Sequence, residues 1–443
     1  MKLWQKDKDS LQEVTSFTTG LDREMDLFLA PYDVLGSLAH IQMLESIGLL
    51  KKEELTILTT GLKDIYQQIQ KGEFKIEDDV EDIHSQVELL LTKRLGDVGK
   101  KIHSGRSRND QVLLDLKLYL RHEIKEVTDL VTVFFDLLVR KSEEHKDKLM
   151  PGYTHLQLAM PSSFGLWFGA YAESLVDDVI TLQAAYQVVN KNPLGSAAGY
   201  GSSFPLDRKM TTTLLGFDDL NYNVVYAQMG RGKTERIVAS ALSNVAATLG
   251  KLSMDACLFL NQNFGFISFP DELTTGSSIM PHKKNPDVFE IIRARCNQLV
   301  ALPNNIAMGT TNLPSGYHRD LQLLKEMLFP AIQQLKQCLQ MAHLMISNIS
   351  VKSDILNDEK YKFLFSVEEV NRLVLAGVPF RDAYKQVGLD IEQSKYNPSA
   401  KVAHTHIGSI GNLSNKSISE MMTRVLKTFP FEKIAEKEKA LAG

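Results

Sequence analysis

One stretch of the chain limits the possible folds more than any other. Residues 109–144 contain neither glycine nor proline, and apolar side chains recur there every three or four positions. These are Val112, Leu116, Leu120, Ile124, Val127, Val131, Phe134 and Leu138. The spacing predicts one helix on the order of 50 Å long, with Asn109 or Asp110 as its N-cap. A helix of that length is rarely covered by its own chain alone, so we expect a symmetric oligomer.

Similar helical patterns occupy most of the middle of the chain, and convincing strands are scarce. They run over about 162–189, 234–261, 286–301 and 320–348, and Pro330 should kink or interrupt the last. We predict an all-α fold of three domains around a long central helical bundle. The predicted ranges are 1–104 for an N-terminal helical domain, 105–351 for the central bundle domain and 352–443 for a small C-terminal helical domain.

Composition excludes several classes of partner. With 443 residues and a net charge of −4, the chain has no strong field for nucleic acid or an acidic membrane. Its three cysteines are far apart and form no CxxC pair, which argues against disulfides or a zinc finger. The opening residues MKLWQKDKDSLQEV lack the apolar core of a signal peptide, and no later run reaches transmembrane length. We therefore expect a cytoplasmic protein.

The stretch AQMGRGKT, residues 227–234, fits a relaxed phosphate-binding loop with alanine in place of the first glycine. Such a loop needs an α/β sheet and a second, acidic strand. The best match to that strand, LVTVFFD at 130–136, lies inside the long predicted helix. The helical background therefore argues against a nucleotide site.

Three polar stretches lie beside predicted helix starts, where free N–H groups favour anions. SGRSRNDQV at 104–112 contains two arginines that suit carboxylates. MPGYTHLQLAMP at 150–161 places a histidine between prolines, which hold the backbone extended or turned. GSSIMPHKKNPD at 276–287 combines serines, lysines and a proline predicted at the first position of a helix. Taken singly, each also fits a solvated helix cap, a hydrogen-bonded core histidine or a mobile basic loop.

Together these stretches resemble the argininosuccinate lyase family of the fumarase/aspartase superfamily. VEDIHSQVE at 80–88 and VNRLVLAGVPFRDAY at 370–384 also resemble that family. The resemblance implies a tetramer whose active sites each take loops from three subunits. It also implies β-elimination of argininosuccinate to arginine and fumarate, the last step of arginine biosynthesis, with neither a metal nor another cofactor.

The resemblance also implies roles for individual residues. Ser277 would be the base and His155 the acid or its relay, with Glu290 as charge partner of His155; which of Ser277 and His155 removes the proton stays open. Lys283 and Asn285 would hold the succinyl carboxylates. The remaining implied substrate contacts are Ser107, Arg108, Asn109 and Thr154 on the succinyl side, and Arg231, Tyr317, Gln322 and Lys325 on the other.

Several positions depart from the family pattern. The chain starts with LWQKDK, the segment FTTGLDREMD at 17–26 has no serine, and Gly232 stands where an aspartate is expected. Loss of that acid beside Lys233 suggests an alternative substrate, an N-acylated argininosuccinate. Another fumarate-releasing lyase, such as adenylosuccinate lyase, and a non-catalytic relative are the further alternatives. The HTH sequence at 404–406 has no other ligands nearby, so we interpret it as surface histidines rather than a metal site.

Overall fold

A computed structural model describes residues 12–443. The LWQKDK segment and most of the opening stretch MKLWQKDKDSLQEV lie outside the described residues. Short helices form the beginning of the chain, and His40 and the apolar face of the third helix are buried there. These helices are α1 (Gln12–Thr19), α2 (Asp22–Asp26), α3 (Ala30–Ser46), α4 (Lys52–Gln70), α5 (Ile83–Leu95) and α6 (Asp97–Lys100), followed by a 3₁₀ turn at Lys101–His103.

The long predicted helix is confirmed as α7, which spans Arg108–Glu144. The predicted cap is wrong by two or three residues, because Ser107 is the N-cap. Ser107 has extended backbone angles, and its Oγ accepts the Asn109 N–H at 3.3 Å. Asp110 then accepts the Ser107 N–H at 2.8 Å, so the two residues form a capping box.

Four further long helices pack with α7 into the central bundle. They are α8 (Phe164–Val189), α11 (Lys233–Leu260), α12 (Asp287–Gly309) and α13 (Leu324–Ser347), preceded by a 3₁₀ turn at Arg319–Leu323. Pro286 caps α12 instead of occupying its first position, and α12 continues past Pro303. The predicted interruption at Pro330 does not occur, since α13 runs through it. Helix α11 is apolar enough in composition to cross a membrane, but 56% of its apolar window is buried, as in a core helix.

Strands are few and short in residues 12–443, as expected for an all-α fold. The stretch between the two prolines is an antiparallel hairpin, β1 (Leu149–Thr154) with β2 (Gln157–Ser163). His155 and Leu156 at its tip both have positive φ, 54° and 58°, the geometry of a tight two-residue turn. The remaining pairs are β3 (Lys191–Asn192) with β4 (Asp219–Leu220) and β5 (Ile267–Ser268) with β6 (Ser350–Val351).

Smaller helices complete the chain. They are α9 (Arg208–Leu214), α10 (Val224–Met229), α14 (Ser366–Leu375), α15 (Phe380–Glu392), α16 (Asn415–Leu426) and α17 (Phe431–Ala442), with 3₁₀ turns at Asp271–Leu273, Ile355–Asn357 and Glu359–Phe365. Helix α16 packs on α7 and α8, and α17 packs on α3; Glu438 of α17 pairs with the buried Arg121 of α7 at 2.7 Å. The division into three domains stays a prediction.

Candidate active site

A polar cavity of about 260 Å³ lies where α5 and α7 begin. Helix N-termini carry partial positive charge, and two of them meet at this cavity. Its wall contains four acids and four cations, together with a histidine. The lining residues are Asp22, Asp26, Glu81, Asp82, His84, Arg108, Asn109, Val112, Arg231, Tyr317, Arg319, Gln322 and Lys325.

The cavity brings together six of the substrate-binding residues expected from the sequence. They are Arg108, Asn109, Arg231, Tyr317, Gln322 and Lys325. Ser107 lies beside them as the cap of α7. Residues that are more than 200 positions apart in the chain therefore form one wall, because the turn before α13 returns to the start of α7.

Arg108 is held in place by the loop before α5. Its guanidinium donates to Glu81 at 3.1 Å and to the Ser85 hydroxyl at 2.6 Å, and it lies 3.2 Å from Asp82. Burial works against the charged form of Asp82, but the charges of His84 and Arg108 and the hydrogen bonds from Ser85 together lower its pKa. Asp82 is therefore charged at neutral pH.

Lys325 crosses the base of the cavity and is almost completely buried. Its ammonium contacts the carboxylates of Asp22 and Asp26, and Asp26 also accepts the Ile83 N–H at 3.2 Å. Burial opposes the charged lysine, but Asp26 and Asp22 outweigh it and raise the pKa of Lys325. Burial also raises the pKa of Asp22, to about 6 despite the opposing charge of Lys325.

The segment FTTGLDREMD forms part of this wall although it lacks the serine of the family pattern. The Gln322 side chain donates to the carbonyls of Thr18 and Thr19, both at 3.1 Å. Arg319 donates to the Thr18 carbonyl at 3.2 Å and to Glu81 at 3.2 Å. Backbone carbonyls thus fix the two side chains that the 3₁₀ turn before α13 presents.

Behind the cavity wall lies a buried histidine between two acids. The Nδ1 atom of His84 is 2.7 Å from Asp33 and 3.5 Å from Asp115. These three residues are close enough to hold a metal ion, but the 2.7 Å contact is a hydrogen-bond distance. Burial disfavours the imidazolium, and the charges of Asp33 and Asp115 with the Asp33 hydrogen bond outweigh it, raising the pKa of His84 to about 9. We interpret the group as an ion-paired triad.

The opening of α11 explains the missing aspartate. Gly232 has φ 76°, and a Cβ there would lie 2.7 Å from the Thr310 side chain. Glu235, one turn on, accepts the Gly232 N–H at 2.7 Å and the Arg231 Nε–H at 3.0 Å. The acid is therefore present at another position, and Lys233 lies over the Tyr226 ring at 5.5 Å. An acid beside Arg231 weakens the charge argument for the N-acylated alternative. AQMGRGKT begins in the last residues of helix α10 and ends in the first turn of α11, with no strand directly before it, which agrees with the rejection of a nucleotide loop.

Thr154 and His155 are exposed at the hairpin tip, beyond the far end of α7. With 37 residues, α7 is about 55 Å long, and the extended chain from 145 to 154 spans at most about 35 Å. The tip therefore stays on the order of 20 Å or more from the cavity of its own chain. The hairpin instead packs near β5, where the Tyr153 ring lies 5.6 Å from that of Phe264.

Ser277, Lys283 and Asn285 occupy the loop before α12, and Glu290 lies on the first turn of that helix. The Ser277 hydroxyl is partly exposed and accepts the Met280 N–H at 3.1 Å. A β-bridge between Thr275 and Asn285 closes the loop. The other end of α12, at Thr310, meets Gly232 beside the cavity. Since α12 has 23 residues and is about 35 Å long, the loop and the cavity are at opposite ends of the bundle.

Six polar residues of the cavity were not predicted from the sequence. Asp22 and Asp26 lie in FTTGLDREMD, the stretch noted only for its absent serine. Glu81, Asp82 and His84 lie in VEDIHSQVE, and Arg319 lies in the segment that supplied Tyr317 and Gln322. Acids beside the helix start at Ile83 were the available signal. Nothing in the local sequence pairs Asp33 and Asp115 with His84, since the three belong to separate helices.

Comparison with known proteins agrees with this architecture. A family profile described as a lyase matches residues 14–301. The chain is 66% identical to the argininosuccinate lyase of Parabacteroides distasonis, over 99% of each chain. It is 38% identical to that of Thermotoga neapolitana, over 87% of this chain and 97% of the other. The structure of an EDDS lyase in complex with formate shares the fold at TM-score 0.79 and 20% identity, over 98% of this chain and 95% of that one. The chain belongs to the argininosuccinate lyase family of the fumarase/aspartase superfamily.

Proposed function

We propose that the protein catalyses the β-elimination of argininosuccinate to arginine and fumarate. The observation that carries this proposal is the cavity at the start of α7. Its acids suit an ammonium group, and Arg108, Lys325 and the two helix N-termini suit carboxylates. The acids and Lys325 fit the amino-acid end of the substrate, and Arg108 at the start of α7 fits a succinyl carboxylate.

In the proposed reaction, a base removes a proton from the succinyl carbon next to a carboxylate. The electrons of that C–H bond form the double bond of fumarate, while those of the C–N bond go to the departing guanidino nitrogen, which an acid protonates. Ser277 is the proposed base and His155 the proposed acid or relay, with Glu290 as its charge partner. The reverse assignment of Ser277 and His155 remains the alternative.

The environment of Ser277 supports its role. Backbone N–H groups of Ile279 and Met280 point at the Ser277 oxygen, at 3.4 and 3.1 Å. Such donors stabilise a developing alkoxide. Lys283 is exposed on the same loop, and Asn285 donates to the Gly276 carbonyl at 3.2 Å. We assign Lys283 and Asn285 to the succinyl carboxylates, with Thr154 from the hairpin and Ser107 beside Asn109.

The distances within one chain support a homotetramer with shared sites. A cavity at one end of the bundle cannot meet its own hairpin tip, so we propose that His155 and Ser277 reach it from other copies of the chain. Small-molecule substrate and identical subunits are then the partners, and we place the reaction in the cytoplasm. Glu235 restores the acid beside Arg231, which favours plain argininosuccinate over an N-acylated form.

The test follows fumarate release by ultraviolet absorbance. Purified protein is given argininosuccinate, its N-acylated derivative or adenylosuccinate, with Ser277→Ala alongside. We expect turnover of argininosuccinate alone, and its loss in the variant. Turnover of only one of the other two substrates would overturn the proposal.

A further inference from the structure

His84 lines the cavity, yet the proposed function gives it no role. It is the second residue of α5 and is only 6% exposed. A buried histidine in this position either braces the wall or meets whatever binds there. The surroundings of the two ring nitrogens distinguish these roles, because the nitrogens lie on different edges of the ring.

The Nδ1 edge faces away from the ligand space. Asp33 from α3 and Asp115 from α7 lie at 2.7 and 3.5 Å from it, and both are buried. The Nε2 atom has no hydrogen-bond partner in the part of the chain that the structure describes. It is also not one of the buried polar atoms that lack a partner, so it is accessible. Since His84 contributes to the cavity lining, the Nε2 edge is the one left to face it.

The charges around the ring favour the imidazolium. Asp33, Asp115 and Asp82 act on it from α3, α7 and the cap of α5. Two effects oppose the charged form of His84: burial, and the nearby basic residues Arg106, Arg108 and His103. The balance keeps the pKa of His84 above its usual value, so at neutral pH both nitrogens donate.

The cavity also needs a donor of this kind. Its four cations are already ion-paired: Arg108 with Glu81 and Asp82, Arg319 with Glu81, Lys325 with Asp22 and Asp26, and Arg231 with Glu235 outside the wall. The charge of His84 is balanced behind the wall instead. Its Nε2–H is therefore available to a ligand without breaking an ion pair.

We propose that His84 is a substrate-binding residue: Asp33 and Asp115 hold its Nδ1–H, and its Nε2–H binds the α-carboxylate at the arginine end of the substrate. This assignment rests on the proposed function for the identity of the ligand. It makes VEDIHSQVE a binding element rather than only a helix start.

Two substitutions separate the two nitrogens. His84→Asn keeps an amide donor near the position of Nδ1 and removes the donor at Nε2, whereas His84→Gln places its amide near Nε2. We expect His84→Asn to raise KM for argininosuccinate about ten- to a hundredfold, as for a lost hydrogen bond to a charged group, with a much smaller change in kcat. His84→Gln should recover part of the loss. His122→Asn, exposed and paired with Glu126, is the control and should change neither constant.

Calorimetry with each product locates the contact. Arginine should bind His84→Asn about ten- to a hundredfold more weakly than the wild type, and fumarate should bind both equally. Equal arginine affinity for both proteins would overturn the assignment, as would weaker binding of fumarate alone. The calorimetry does not depend on catalysis. If the wild type binds arginine but releases no fumarate from argininosuccinate, the proposed function is refuted. The binding role of His84 is then still tested by the arginine affinities of the two proteins.

A crystal structure of the wild type with arginine decides the question without any substitution, should the variants fail to fold. An arginine carboxylate oxygen within hydrogen-bond distance of Nε2 supports the proposal. An Nε2 atom that faces only protein, or a carboxylate bound elsewhere in the cavity, overturns it.

Discussion

The cavity at the start of α7 and the loop that carries Ser277 hold their polar side chains in different ways. In the cavity, Lys325 and Arg108 are ion-paired, and Lys325 is 3% exposed. In the loop, Lys283 is exposed, and Ser277 accepts hydrogen bonds from backbone N–H groups of its own turn. One chain therefore completes its binding wall alone but leaves its candidate proton-transfer groups open to solvent. A preorganised site needs both, so the two regions have to be joined by assembly.

The largest effect is expected from a substitution in the solvent-exposed loop that carries Ser277. Ser277→Ala should lower kcat by about 10²–10⁴-fold, the range of a general base, with little change in KM, because the binding wall lies elsewhere. Fumarate release measures both constants. Ser278→Ala is the neighbouring control and should stay near wild type. Equal losses in the two variants would assign the effect to loop conformation rather than to the Ser277 hydroxyl.

Mixing two inactive proteins tests whether the regions come from different chains. Ser277→Ala and Arg108→Ala should each be nearly inactive, and subunit exchange between them should restore activity. If each site draws these residues from two chains, about one quarter of the sites in an equal random mixture contain both native residues. No recovery after verified exchange would place both residues in one chain's site, against the distances described.

The buried ion pairs of the cavity predict a stability loss. Lys325→Met leaves Asp22 and Asp26 without their partner and should lower the free energy of unfolding by about 3–5 kcal/mol. Lys336→Met, on the same helix but with a less buried pair to Glu123 and Glu126, is the control and should cost clearly less. Denaturant unfolding measures both. Equal costs would mean that the cavity is no more tightly coupled than the surface of the bundle.

The raised pKa of His84 predicts how the stability of the folded chain depends on pH. Its pKa is raised to about 9 in the folded chain, from 6.5, so its contribution is fully present below pH 6.5 and is lost as pH rises through about 9. The shift corresponds to about 3 kcal/mol. Thermal unfolding from pH 6 to 10 should show this loss in the wild type and not in His84→Asn. Parallel curves for the two proteins would contradict the triad.

The smallest effect is expected at Lys233. It contacts Tyr226 rather than an acid of the cavity, so Lys233→Ala should change KM for argininosuccinate by less than about twofold, as an exposed cation–π contact is worth little. A large loss confined to an N-acylated substrate would revive the alternative substrate.

The sequence predicts the bundle well because the helix period is a local property. The long helix over 109–144 differs from α7 by one residue, whereas its cap was misassigned since Ser107 acts together with Asp110 in space. Arg108 and Gln322 were found through motifs. The Asp33–His84–Asp115 triad was not, because its members meet only after three helices pack. The expectation at Gly232 failed for a similar reason. An aspartate was expected at that position, but the acid beside Arg231 is Glu235, one helical turn away.

The length of α7 has a consequence for how this chain can vary. The helix joins a wall that one copy completes to a hairpin that we assign to the site of another. Inserting or deleting one residue within it would shift the two ends by about 1.5 Å and turn them by about 100° relative to each other. The 37 residues of α7 therefore set the distance and the relative rotation between the cavity wall and the hairpin in the assembly. Surface loops can lengthen in relatives at little cost, while α7 has to keep its residue count.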